Sequence, residues 1–128
     1  MVGTIPIPKL HLEYRFWITE LNFAKEEIEI FERHLEGLAA NYRAIEVTAQ
    51  IEHFQNSYIR HKEVIYILKH DLHGSEVQLA SFVRELSGMG LHSIRMDNHG
   101  KLREQMTTFR KLYTELKNEF RRFEAAWY

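Results

Sequence analysis

Eight histidines and a column of glutamates carry most of the chemistry in this 128-residue chain. Glu13, Glu20, Glu27 and His34 recur every seven residues, a spacing that puts them on one stripe of a helix. Imidazole and carboxylate together are ligands for zinc, iron or manganese, and a histidine beside a glutamate can move a proton. The chain has no cysteine, which removes disulfides, thiolate zinc sites, thiolate-held iron–sulfur clusters and cysteine nucleophiles.

Three arrangements of these residues are worth testing. The interior set joins Glu27 and His53, with Glu52 nearby. One bundle end gathers His11, His70 and His73 beside Asp71, and His70-x-x-His73 is a workable zinc spacing on a helix. The other set takes His34 and His99, with His92 and Asp97 on a connector. Against a di-iron carboxylate site, no histidine has a glutamate three residues before it, the motif such bundles use. Cations near a helix C-terminus are also ordinary, which gives His70 and His73 a structural reading. No nucleophile elbow surrounds any serine, and Gly88-Met-Gly90 lacks the strand and third glycine of a phosphate loop.

The elements that position these groups are long helices. Apolar residues keep a strict 3,4 spacing through Leu10, Tyr14, Trp17, Leu21, Ala24, Ile28, Phe31, Leu35 and Leu38, and again from Ala44 to Leu72 and from Leu102 to Trp127. His61 and His99 fall on these seams. Gly74 reads as a helix stop and Ser75, with Gln78 three residues on, as a new N-cap. The expected fold is therefore all-α: an antiparallel up-down four-helix bundle with three long helices and a short, interrupted third helix ending near Ser87. Residues 1–9, with Pro6 and Pro8, read as an extended arm, and residues 10–128 as a single helical domain. The connector from Gly88 to His99 has the composition to line a small site, although a plain helix connection suffices.

In an antiparallel pair turning at Asn41, Glu20 comes level with His61. A Glu20–His61 pair inside the bundle is the expected register-setting contact, because either group buried alone would cost several kcal/mol. Seven acids between Glu13 and Glu36 face three bases, whereas seven bases lie between Lys101 and Glu124, so the first and last helices are expected to be neighbours. Phe16, Phe23 and Ile30 form a second apolar column on the first helix, and Ile59 and Tyr66 lie off the seam of the second. These five residues are the expected self-association surface, with a dimer favoured.

A net charge of −1 gives no field for nucleic acid. No apolar run approaches a membrane span, and the first residues lack the basic start and apolar block of a signal peptide, so cytoplasmic residence is the expectation. The expected function is non-catalytic, a small helical bundle acting through protein contacts and associating with itself. The alternative is a bundle that binds Zn, Fe or Mn through His and Glu.

Overall fold

A computed structural model describes residues 5–42, 44–86, 93–94, 96 and 98–127, and shows an all-α architecture of three helices. Helix α1 spans Ile7–Asn41 (35 residues), α2 spans Ile45–Leu86 (42 residues) and α3 spans His99–Trp127 (29 residues). A two-residue strand β1 (Ile5–Pro6) pairs antiparallel with β2 (Ser93–Ile94), through Ile5 with Ile94 and Pro6 with Ser93.

The four-helix expectation fails at Gly74. No helix ends there, and α2 runs through it as one element of roughly 60 Å. Glycine costs a helix interior about 1 kcal/mol relative to alanine. That penalty is outweighed because Leu72, Ser75 and Leu79 continue the buried seam across it without a phase change. Ser75 is accordingly no N-cap. It is buried in the middle of α2, and its hydroxyl accepts a 2.7 Å hydrogen bond from Asn98 Nδ2. The segment expected to be a separate third helix is the last part of α2, and of the connector expected from Gly88 to His99, residues 88–92, 95 and 97 lie outside the described residues.

Helix α1 also starts earlier than expected, inside the arm assigned to residues 1–9. Pro8 stands in its first turn, where a missing N–H costs nothing because those amides have no intrahelical acceptor. At the other end the chain leaves α1 through Tyr42 in an extended conformation, with Asn41 still helical. Tyr42 then ties two helix ends together. Its hydroxyl donates to the Trp127 carbonyl at 2.7 Å, and the two rings meet edge to face.

Cross-helix pairs fix the directions. Between α1 and α2, Arg15 meets Glu76 and Glu32 meets Lys62, so residue numbers rise on one helix as they fall on the other. Helices α2 and α3 are likewise antiparallel, through Ser75 with Asn98 and His53 with Glu119. It follows that α1 and α3 are parallel. The core between the three is apolar along its length and aromatic at one end, where Phe31, Phe54, Tyr58, Phe120 and Phe123 pack ring against ring. No described helix is long and apolar enough to cross a membrane.

Candidate interaction surface

The glutamate column of α1 lies on the border with α3. Glu13 binds Arg103, Glu20 binds Arg110, Glu27 binds Lys117 and His34 binds Glu124, and each pair is separated by 90 residues. A constant difference repeated at heptad intervals is the signature of two parallel helices in fixed register. Opposite charges at the first three levels favour that register over a slip by one turn. Arg110 grips Glu20 with two nitrogens, at 2.6 and 2.8 Å, and this hydrogen-bonded contact raises the guanidinium pKa further. At the next level Tyr113 donates to Glu27 at 2.9 Å while Lys117 lies 5.0 Å from the centre of the Tyr113 ring. Burial first, and the Glu27 contact second, push the Tyr113 hydroxyl well above the usual phenol range.

The expected Glu20–His61 pair is not formed. His61 is only partly buried, its Nδ1 lies 2.9 Å from the Ser57 carbonyl one turn back, and its ring faces Phe109 and Tyr113. The α1–α2 pairs Arg15 with Glu76 and Glu32 with Lys62 place Glu20 level with α2 residues about ten positions, nearly three turns, beyond His61. Both turn toward α3, and there Glu20 meets Arg110 while His61 meets aromatic rings.

The remaining histidines scatter. His53 Nε2 contacts Glu119 and His34 Nδ1 contacts Glu124, each at 2.9 Å. His11, His70 and His73 are exposed, and His92 lies outside the described residues. Among the described residues no three His, Asp or Glu side chains converge as a metal set, so Glu27 with His53 and the His11–His70–His73 group are not assembled as ligand clusters, and Asp97, like His92, of the third set lies outside the described residues.

Among the described residues His99 is the one histidine buried in the core. It stacks on Trp17 at 5.4 Å, meets the edge of Tyr14 and places Nε2 3.1 Å from Glu13 Oε2. Arg103 donates to both Glu13 oxygens, and its Nη2 also lies 3.2 Å from the same His99 Nε2. His99 Nδ1 is buried without a hydrogen-bond partner, and the nearby Tyr14 hydroxyl lies beside Ser75. Burial lowers the His99 pKa, aided by Arg103 and Lys9 and opposed by Glu13. The Tyr14 phenol is raised by burial. This node was half visible in the sequence, since His99 broke a seam and Ser75 kept the spacing of one.

Apolar surface is the other conspicuous feature. Phe16 is 63% exposed, Phe23 61% and Ile30 43%. Each stands one turn before a member of the glutamate column, so the column lies on the outer α3-side flank of α1. Ile59 (47%) and Tyr66 (73%) flank Lys62, which binds α1 through Glu32. They belong to the α1 edge of α2, and the five expected residues therefore form two faces. Sequence reasoning missed a third feature, a groove of about 740 Å³ between α2 and α3. Val64, Ile67, Leu68, Phe109 and Leu112 line it, with Arg60, Lys101 and Glu104 on its rim. Comparison with protein-family models, curated proteins and solved structures finds no match to this chain.

Proposed function

We propose that this chain is a non-catalytic helical bundle that works through protein contacts and associates with itself. The observation that carries the reading is the heptad-spaced column of Phe16, Phe23 and Ile30, left bare on a helix whose inner face is fully committed to the core. Large aromatics held in register on a rigid helix are anchors for a partner, because little conformational entropy remains to be lost when they are covered. The polar groups support the same reading. The glutamates of the α1 column and the histidines His34, His53 and His99 are engaged in pairs across helices, which suits a scaffold.

Sedimentation velocity over a wide concentration range tests this. Self-association should appear as a rising weight-average mass, and Phe23→Arg should suppress it with the circular dichroism spectrum unchanged. A wild-type chain that stays monomeric at the highest attainable concentration refutes the self-association.

A further inference from the structure

We propose that the groove between α2 and α3 binds a soluble linear carboxylate, its apolar chain laid along the groove and its carboxylate at the end where Arg60 and His61 stand. The assignment is independent of the self-association reading.

Size is the first reason. At about 740 Å³ the groove falls within the range of about 300–1,000 Å³ that small-molecule sites occupy. Eleven residues line it, against the roughly 20–30 a side that a stable protein interface uses, so it suits a small guest better than a folded partner. Its long axis follows α3 from Lys101 to Leu112, about 16 Å at the helical rise. An extended chain advances about 1.2 Å per bond, so a guest that fills this length has roughly twelve to fourteen carbons.

The walls are the second reason. Leu68 and Phe109 are buried and form the floor, while Val64, Ile67 and Leu112 stand exposed along the sides. An alkyl chain lying between them takes its own surface and theirs out of water together.

Charge orients the guest. Four lining residues can carry it, and the register set by Ser75 with Asn98 and His53 with Glu119 sorts them by height. Arg60 and His61 come level with Leu112 at one end, and Lys101 and Glu104 mark the other. Lys101 and Glu104 lie one turn apart and offset each other, and Asp71 joins Lys101 around the adjoining cleft. Among the described residues no acid lines the Arg60 end: Glu63 borders a different cleft and Glu115 stands a turn beyond Leu112. There the Arg60 guanidinium makes only a long 3.5 Å contact with Ser57 Oγ, which leaves its donors for a carboxylate, a planar group that it matches with two parallel N–H bonds. The Ser57 carbonyl occupies His61 Nδ1 at 2.9 Å, so Nε2 is the ring nitrogen that meets the guest, and in the protonated ring it donates as well.

Isothermal titration of dodecanoate, kept below its micelle concentration, into the full chain tests the site. One molecule should bind per chain. Octanoate, shorter by four methylenes, should bind about tenfold more weakly, since each methylene half covered in an open groove contributes about twofold. Dodecyltrimethylammonium, which carries a cationic head on the same chain, should also lose about tenfold, and Arg60→Ala should weaken dodecanoate by as much without weakening dodecyltrimethylammonium. Leu112→Asp, which sets a carboxylate in the groove, should abolish dodecanoate binding, whereas Phe23→Arg on the outer face of α1 should not; circular dichroism verifies that all three variants fold. Equal affinity for the two heads, several molecules per chain, indifference to Arg60→Ala, or loss with Phe23→Arg rather than Leu112→Asp each overturns the assignment. Absence of binding overturns it outright, and a self-association that Leu112→Asp then removes would give the groove to a second copy of the chain.

Discussion

Gly74→Ala separates a continuous α2 from a chain that breaks at its glycine. In the structure Gly74 is an exposed residue inside α2, and a Cβ built on it meets nothing within 4 Å. Alanine should therefore gain the helix-interior preference over glycine, about 1 kcal/mol, part of it by narrowing the unfolded ensemble. For a domain of this size that is a rise in melting temperature of roughly 3–6 °C. Gly37 supplies the control: it lies within α1 with equally open space around its Cβ. Urea unfolding followed at 222 nm should show both alanine variants with higher midpoints and unchanged slopes. A glycine at a helix C-terminus in the left-handed conformation behaves in the opposite way, because a Cβ there is strained. A Gly74→Ala variant that loses stability while Gly37→Ala gains it would refute the continuous helix.

Two further predictions concern the polar contacts. Glu20→Arg and Arg110→Glu should each destabilise by about 0.5–1 kcal/mol, a modest value because both side chains remain more than one-third exposed. The double swap should recover most of the loss, and a swap no better than the sum of its parts would deny the parallel pairing. For His99, burial lowers the folded pKa below the ordinary 6.5. Above 6.5 the ring is neutral folded and unfolded alike, and its contribution is constant. As pH falls below that value the unfolded chain takes up a proton that the folded chain resists, so stability declines until the folded pKa is reached. His99→Phe, which can keep the stacking on Trp17, should flatten the decline in urea midpoint between about pH 7 and pH 5, whereas an unchanged slope would contradict the assignment.

The helices were legible because apolar spacing reports which residues share a face, and burial follows the seams from Leu10 to Leu38 and from Leu102 to Phe123 closely. The register of one helix along another was not legible in the same way. Glu20 and His61 lie at different heights because the turn after α1 shifts the α1–α2 register, and nothing local to either residue names Arg110 or the Phe109 and Tyr113 rings. The α2–α3 groove was hidden for a related reason. Val64, Ile67 and Leu112 sit off the seam, and single exposed aliphatics carry no signal until the fold aligns them.

One residue links these failures. If Gly74 ended a helix, four helices would alternate in direction, and the last would run antiparallel to the first. Facing residues would then pair with falling number, and the same seven-residue spacing would set Glu13 against Lys117 and Glu27 against Arg103, with Glu20 still against Arg110. With α2 continuous there are three helices, the first and last run parallel, and the same column meets Arg103, Arg110 and Lys117 level by level. The acidic first helix and basic last helix were expected to be neighbours under either count. Direction decides which base each acid meets, and it turns on whether the packing around Leu72, Ser75 and Leu79 outweighs about 1 kcal/mol of glycine penalty.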